Sequence, residues 1–175
     1  MGRMRGPGND GRETDFTAYV RARQESLTRF AYLVSADLET AKDLVQIALT
    51  KAYLHWDRIC TLDAPDAYIR RIIVNEHVSW WRPAWRRREV TNTPLVELSD
   101  HSSAEHEPHD PELWRHLTTL SPMQRATLVL RYYEDLSEAQ TAEYLGCSIG
   151  SVKTHTSRGM SHLRSLLKEA PYETA

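Results

Sequence analysis

The residues best suited to chemistry lie in the C-terminal part of the sequence, where cations gather on one stretch. Residues 145–168 include four basic residues and no acidic one. The basic residues are Lys153, Arg158, Arg164 and Lys168. A helix with such a stripe suits the phosphates of a nucleic acid, which basic side chains neutralise. The alternative is an ordinary helical hairpin whose basic face is simply solvated.

The residues around this stripe carry the start and stop signals of two helices joined by a tight turn. Ser137 and Gln140 have the spacing of a capping box, which starts a helix. Gly146 is placed to end that helix, because glycine adopts the left-handed conformation without steric cost. Ser148 can cap a second helix, whose apolar positions recur at helical spacing. Residues 136–164 therefore predict a helix-turn-helix, whose second helix enters the DNA major groove.

A second candidate site for nucleic acid lies in the middle of the chain, where tryptophans are interleaved with arginines. Bases stack on exposed aromatic rings while cations follow the phosphates of a single strand, and each stacked base contributes roughly 1–3 kcal/mol. The alternative is that Trp80 and Trp81 cap an apolar core and that the arginines only keep the helix end soluble. The side chains concerned are Arg70, Arg71, Asn75, Trp80, Trp81, Arg82, Trp85 and the three arginines at 86–88.

The composition is that of an ordinary globular protein. A length of 175 residues suits one or two small domains, and no apolar run approaches the roughly 20 residues of a membrane span. Cys60 and Cys147 are isolated in the sequence, which favours a reducing cytoplasm. The net charge is +3 over the first 90 residues and −5 over the rest, so the overall −2 says little about nucleic acid.

Helical periodicity predicts an all-α bundle over residues 13–88, after a disordered tail at residues 1–12. The tail lacks the apolar stretch of a signal peptide. Thr14 or Asp15 is predicted to cap the first helix, and Pro65 stands at the favoured first position of the third. The second helix is predicted to begin at Asp37 or Leu38, and residues 57–64 form a connector without periodicity.

Residues 89–110 lose all periodicity and predict a flexible acidic linker. Six acidic residues and no basic one lie between Val90 and Leu113. Such a segment is either a solvated spacer or an occupant of a basic channel that normally holds nucleic acid. His101, His106 and His109 lie in it, but a proline- and serine-rich coil does not hold ligands rigidly enough for a metal.

Order is predicted to resume at Asp110 and Pro111, an N-cap followed by a favoured first helical residue. A second capping signal at residues 121–124 starts another helix before the helix-turn-helix. Four helices with short connections over residues 111–170 make a second, smaller domain. The predicted fold class is therefore all-α, with two small helical domains joined by the linker.

The sequence shows no nucleophile–base pair, glycine-rich phosphate loop or zinc-protease histidine motif. We therefore predict no catalytic residue, no cofactor and no metal. The function expected from the residues is binding rather than bond chemistry.

Four motifs, in order, give the chain a resemblance to the extracytoplasmic-function sigma factors of bacterial RNA polymerase. The resemblance covers about residues 13–168, and the doubled tryptophan suggests the actinobacterial subgroup often labelled SigE-family. The motifs are A-K-D-L-V-Q at 41–46, Y-I-R-R-I-I-V-N at 68–75 with H-V-S-W-W-R at 77–82, L-S-P-M-Q-R at 120–125 with L-R-Y-Y at 130–133, and L-G-C-S-I-G-S-V-K-T-H at 145–155.

The resemblance implies a region 2-like first domain, a region 4-like second domain and three groups of functional residues. Residues meeting the β′ coiled coil of the polymerase would be Asp43, Leu44, Val45, Gln46 and Lys51. Residues trapping an unstacked base of the −10 element and holding the melted strand would be Arg58, Tyr68, Arg71, Asn75, Trp80 and Arg82. Residues facing the −35 major groove would be Ser151, Lys153, Thr154, His155, Ser157 and Arg158.

The implied function is that of an alternative sigma factor, which brings core polymerase to a promoter and melts the promoter duplex. The implied partners also include the β flap of the polymerase and an anti-sigma factor. The family often has arginine at Lys153, a second basic residue at His155 and a bulkier residue at Ser157, so the bases selected stay open. A repressor or activator that uses the helix-turn-helix alone is the rival, but it leaves the docking face at residues 43–46 and the helix rich in arginine and tryptophan unexplained.

Overall fold

The structure is a computed structural model that describes the backbone of residues 7–91 and 111–169 and the side chains of residues 11–81 and 114–167. Regular structure in these residues is entirely helical, as predicted. None of the described helices has the length and apolarity needed to cross a bilayer. The helices are α1 (Pro7–Ser35), α2 (Leu38–Leu54), α3 (Trp56–Ile59), α4 (Pro65–Thr91), α5 (Pro111–Thr118), α6 (Pro122–Leu128), α7 (Glu138–Leu145) and α8 (Ile149–Glu169), with a π-helical segment at Val129–Tyr133.

The first unit, α1 to α4, encloses an apolar core formed by the predicted stripes. The start of α2 is confirmed: the Asp37 carboxylate caps it by accepting a hydrogen bond from the Thr40 backbone N–H. A shared carboxylate holds α1 to the start of α4, because Asp66 accepts a hydrogen bond from the Tyr19 hydroxyl at 2.6 Å and pairs with Arg23 at 3.4 Å. The buried core residues of this unit include Leu27, Phe30, Val34, Ala41, Leu44, Val45, Ala48, Ile69 and Ile73.

The N-terminal helix is longer than the sequence predicts. It begins at Pro7 rather than after Thr14 or Asp15, so residues 7–12 of the predicted tail are helical. Proline is tolerated at the first helical position because its missing N–H would be unsatisfied there anyway. Arg12 extends the contact of this helix with α2, since its guanidinium donates to the Tyr53 carbonyl and lies over the Tyr53 ring.

Two further boundaries differ from the prediction. The predicted connector begins with a helix, α3, whose four residues bury Trp56 and Ile59 but are too few to show a period. Helix α4 continues past Pro83 to Thr91, beyond the predicted domain end at residue 88, because the residues after the proline are good helix formers. The rest of the predicted linker, with His101, His106 and His109, lies outside the described residues.

The start and stop signals predicted at residues 121–148 of the second unit, α5 to α8, are confirmed, whereas the predicted N-cap Asp110 lies outside the described residues. Both predicted capping boxes form, Ser121 with Gln124 and Ser137 with Gln140. Gly146 ends α7 in the left-handed conformation, with φ 61° and ψ 39°. At the start of α8 the Ser148 hydroxyl oxygen accepts a hydrogen bond from the Ser151 N–H at 3.1 Å.

The two units share one continuous apolar core. Helix α6 packs against α1 and α4, and α7 packs against α4. Met123, Ala126 and Leu130 of the second unit belong to the same buried cluster as Phe30 and Ile73 of the first. The sequence predicts the two helical units but not this contact between them.

A tight approach between α8 and α6 gives a stability test within the second unit. A Cβ atom added at Gly159 would lie 3.0 Å from Cδ1 and 3.4 Å from Cγ of the buried Leu128. Overpacking costs about 1–3 kcal/mol, which exceeds the helix-propensity gain of about 1 kcal/mol from glycine to alanine. We therefore expect Gly159→Ala to lower the free energy of unfolding by about 1 kcal/mol, measured by urea denaturation.

Gly150→Ala is the matched control on the same helix. Its added Cβ would meet only the Ser148 hydroxyl, at an ordinary 3.7 Å. This variant should gain up to about 1 kcal/mol from helix propensity. Equal gains in the two variants would show that α8 can shift away from α6 at no cost.

Candidate nucleic-acid interface

Helix α8 presents a polar and basic face that is not used for packing. Val152 and Gly159 are buried against the rest of the second unit. The predicted base-facing residues lie on the remaining surface of the first turns. Lys153, Thr154, Ser157 and Arg158 are exposed, and Ser151 and His155 are half-buried.

Local hydrogen bonds set the orientation of the first turn of α8. The Thr154 hydroxyl donates to the Gly150 carbonyl at 2.9 Å, and the Ser148 and Ser151 hydroxyls lie 2.9 Å apart. With its hydroxyl hydrogen engaged by the backbone, Thr154 can still accept a hydrogen bond or offer its methyl group to thymine.

The charge of Lys153 is partly neutralised within the helix-turn-helix. Its Nζ lies 3.7 Å from Oε2 of Glu138 in the first turn of α7. Exposed ion pairs of this kind contribute roughly 0–1 kcal/mol. A phosphate or a guanine can therefore displace the carboxylate at little cost.

Helix α4 carries a second stripe of predicted nucleic-acid contacts. Tyr68, Arg71 and Asn75 are spaced at i, i+3 and i+7, so they follow one side of the helix. Tyr68 and Asn75 are exposed, whereas Arg71 is half-buried. Arg58 is exposed too, but it lies on α3, which packs against α1 and α2.

The tryptophans of α4 divide between the two alternatives left open by the sequence. Trp80 is exposed over 47% of its surface and is therefore free to stack on a base. Trp81 is half-buried, with its ring edge-on to His77 at a centroid distance of 6.4 Å. The side chain of Arg82 lies outside the described residues, as do those of Trp85 and the arginines at 86–88.

The predicted docking residues separate into an inner and an outer pair on α2. Leu44 and Val45 are buried in the core, while Asp43 and Gln46 are exposed. Lys51, one turn further on, pairs with Glu76 of α4. A groove of about 590 Å³ runs beside this face between α1 and α2, and its lining is Phe16, Val20, Gln24, Thr28, Lys42, Val45, Gln46, Leu49, Thr50 and Tyr53.

Two cations of α4, Arg70 and Arg71, have partners from the second unit. Arg70 pairs with Glu134 at 2.6 Å, and both side chains are largely buried. Arg71 pairs with Glu143 of α7 at 2.9 Å, and its guanidinium lies 5.5 Å from the centre of the Tyr144 ring. The Tyr144 hydroxyl donates to the Ala67 carbonyl at 3.3 Å.

The contact between the units depends on residues to which the sequence analysis gives no role. The Arg125 guanidinium is buried and donates to the carbonyls of Val34 and Ser35 at the end of α1, each at 3.0 Å. Burial lowers the pKa of Arg125 to about 10, which leaves it charged at neutral pH. No local signal reveals this role, because an arginine beside apolar residues in a short helix is usually exposed.

His77 is the second buried ionisable group at this contact. It is 2% exposed, and neither ring nitrogen has a hydrogen-bond partner among the described residues. Burial, with a smaller contribution from the charge of Arg125, lowers the pKa of His77 from 6.5 to about 3. The ring is therefore neutral in the folded chain at neutral pH.

This burial predicts a loss of stability in mild acid. Between pH 6.5 and about 3 the unfolded chain binds a proton at His77 that the folded chain does not, so the free energy of unfolding falls as pH falls. From pH 6 to pH 5 we expect His77 to account for a loss of about 1 kcal/mol, measured by urea denaturation.

The control for this loss is His77→Phe, which keeps a ring of similar size without a titrating nitrogen. Seven of the eight histidines remain in this variant, so the difference between the two pH profiles isolates one residue. Parallel profiles for the two proteins would contradict the neutral buried state of His77.

Comparisons with known proteins match both helical units. The family model of Sigma-70 region 2 matches residues 19–87, and that of Sigma-70, region 4 matches residues 112–163. The RNA polymerase sigma-E factor of Streptomyces avermitilis is 38% identical over 158 residues, which are 90% of this chain and 88% of the relative. The sigma-E factor of Streptomyces coelicolor is 37% identical, with 90% and 88% covered.

A solved structure has a similar arrangement of helices. It is the sigma factor RpoE of Bartonella quintana, crystallised in complex with the anti-sigma factor NepR. The TM-score is 0.61 at 26% sequence identity, and the match covers 90% of this chain and 99% of that one.

Proposed function

This chain belongs to the sigma-70 family and is an alternative sigma factor of the extracytoplasmic-function type, and we propose that three of its surfaces divide the work of initiation. Helix α2 binds core polymerase, α4 holds the melted −10 element, and α8 reads the −35 element. The observation that carries this division is the placement of three separate sets of exposed polar residues on α2, α4 and α8, within the ranges matched by regions 2 and 4.

The proposed polymerase contact uses both halves of the α2 motif. Leu44 and Val45 hold the helix against the core, so Asp43 and Gln46 are presented on a rigid support. A carboxylate and an amide in this position suit a partner helix with basic and polar side chains, such as the β′ coiled coil. Lys51, paired with Glu76, lies at the edge of this surface.

The proposed −10 contact combines stacking with amide recognition. The Asn75 side chain can donate and accept at once, which matches the Watson–Crick edge of an unpaired base. Tyr68 and Trp80 are exposed aromatic surfaces for stacking, and Arg71 supplies a cation for the strand. Extruding a base costs a few kcal/mol, and stacking of roughly 1–3 kcal/mol per base offsets this cost. Arg58 on α3 and Arg82 further along α4 belong to the same proposed surface.

The proposed −35 contact is made by the first turns of α8 in the major groove. Lys153 and Arg158 are the cations available to guanine, the commonest specific contact in that groove. Ser151, Thr154, His155 and Ser157 complete the polar face. The remaining surface of the second unit includes the exposed Tyr132 and Tyr133, which offer an aromatic contact to the β flap.

The proposed activity consists of binding, without bond chemistry by the chain itself. We place it in the cytoplasm because core polymerase and promoter DNA are there. The similarity to a sigma factor crystallised with NepR supports control of this chain by an anti-sigma factor as well.

The test is run-off transcription by purified chain and core polymerase across a promoter library. Transcripts that start at a shared pair of −35 and −10 sequences are the expected result. If the chain instead binds duplex DNA without polymerase and fails to bind core polymerase in a pull-down, it is a repressor or activator that uses its helix-turn-helix.

A further inference from the structure

The polar face of α8 receives a carboxylate from the neighbouring helix. Residues 145–168 contain no acidic residue, so any carboxylate at this face has to come from another helix. The structure brings Glu138 there, with its Oε2 3.7 Å from Nζ of Lys153. The side chains of Glu138 and Lys153 are 40% and 64% exposed, so both are open to a ligand. The pair therefore presents a donor and an acceptor side by side at the proposed −35 surface.

Glu138 is held in place at the start of α7. It is the first residue of that helix, directly after the N-cap Ser137. The Ser137 hydroxyl oxygen accepts a hydrogen bond from the Gln140 N–H at 3.2 Å, and the Ser137 N–H donates to the Gln140 side-chain oxygen at 2.8 Å. Helix α7 packs against α8, and Leu145 and Val152 are buried. The backbone that carries the carboxylate is therefore fixed relative to α8.

A donor and an acceptor at this spacing match the major-groove edge of a G·C base pair. Guanine presents the acceptors N7 and O6, and cytosine presents its N4 amino group as a donor. O6 and N4 are hydrogen-bonded to each other, so they lie about 3 Å apart, close to the 3.7 Å between Nζ and Oε2. The ammonium has three donors, so it can serve both guanine acceptors and keep its contact with the carboxylate. Adenine presents one acceptor and is the poorer match.

The carboxylate also makes a phosphate a poorer ligand for Lys153 than a base. The lysine ammonium is a point charge on a flexible stem, so by itself it does not select between a phosphate and a guanine. A carboxylate beside it repels the phosphate oxygens but accepts a hydrogen bond from the cytosine amino group. Phosphate contacts carry no direct sequence information. Glu138 thus favours the contact of Lys153 that does.

We propose that Glu138 is a specificity residue of the −35 surface and recognises one G·C base pair together with Lys153. The Lys153 ammonium donates to guanine, and the Glu138 carboxylate accepts from the N4 amino group of the paired cytosine. This inference rests on the proposed −35 role of α8. It assigns the base that Lys153 selects, which the sequence leaves open.

The test compares variants of the full chain, each bound to core polymerase, on a promoter-duplex library randomised across the −35 element. The wild type should select G·C at one position. Glu138→Ala and Lys153→Gln should both relax the choice at that same position by about 5- to 150-fold, the range that a bidentate contact to a base provides. The double variant should lose no more than the larger single loss, because the two side chains act as one unit.

The salt dependence of binding separates base recognition from phosphate binding. Replacing a lysine that contacts a phosphate weakens binding to all sequences and reduces the slope of log K against log salt by about 1, whereas replacing one that contacts a base relaxes specificity at one position. Fluorescence anisotropy of the selected duplex between about 50 and 200 mM salt measures this slope.

Asp135→Asn is the matched control, because it removes an exposed carboxylate just before α7. Asparagine tolerates the left-handed φ of 52° at this position. The control should leave the choice of every base pair unchanged. Glu138→Gln keeps the size of the side chain and should relax the same position as Glu138→Ala, and circular dichroism checks that both variants keep their helices.

The outcomes distinguish this inference from the proposed function. Equal weakening of all duplexes by Glu138→Ala, relaxation of different positions by the Glu138 and Lys153 variants, or selection of a pair other than G·C at the relaxed position would overturn the role of Glu138. A fall of about 1 in the salt slope of Lys153→Gln would overturn it too. A wild type that selects no shared −35 sequence and makes no run-off transcript would instead defeat the proposed function.

Discussion

Replacing Asp43 by arginine should abolish binding to core polymerase. Asp43 is exposed on α2 while its neighbours Leu44 and Val45 are buried, so the substitution reverses one surface charge without disturbing the core. Placing like charges opposite each other at an interface costs several kcal/mol, and about 3 kcal/mol corresponds to a loss of more than 100-fold in affinity. Fluorescence anisotropy of labelled chain titrated with core enzyme measures this loss.

The loss should be confined to the polymerase contact. The variant should bind −35 duplex as the wild type does, because α8 belongs to the other unit. Glu25→Arg reverses a comparable exposed charge on α1 and should leave polymerase affinity within about twofold, as is usual for surface substitutions. Normal run-off transcription by the Asp43→Arg variant would refute the docking assignment.

The second large effect is expected at Asn75, whose loss should impair promoter opening more than closed-complex formation. Its amide is exposed on the same stripe as Tyr68 and Arg71. A bidentate contact to a base contributes about 1–3 kcal/mol of discrimination, so Asn75→Ala should reduce the open fraction about 5- to 150-fold. Permanganate reactivity of unpaired thymines measures opening, and gel shift at low temperature measures the closed complex.

Ser79→Ala is the matched control, one turn further along α4. The Ser79 hydroxyl is exposed and donates to the Glu76 carbonyl of its own helix, so its loss removes no base-reading group. It should leave both steps unchanged. Equal loss of the closed complex and of opening in Asn75→Ala would count against the base-trapping role.

Local rules explain why much of the second unit could be predicted from the sequence. The capping boxes at Ser121 and Ser137 and the left-handed Gly146 depend on residues within four positions of one another. The opposite orientations of Leu44 and Asp43 are also local, because consecutive residues of α2 point in different directions around the helix. Each of these features is set by backbone geometry that the neighbouring residues alone determine.

The features that could not be predicted depend on partners far apart in the chain. The sequence around Arg125 predicts an exposed residue of a short helix. In the structure it is buried, because it donates to the carbonyls of Val34 and Ser35 at the end of α1. Glu134 and Glu143 likewise have no local signal for a partner, and in the structure they pair with Arg70 and Arg71. Helix α4 also runs beyond the predicted domain end at residue 88, to Thr91.

The continuous core also determines how the free chain should melt. Buried residues of α6 and of the π-helical segment belong to one cluster with those of α1, α2 and α4, so heating should give a single cooperative transition rather than two. A substitution that weakens the shared cluster from either unit should therefore lower the melting temperature of both units together.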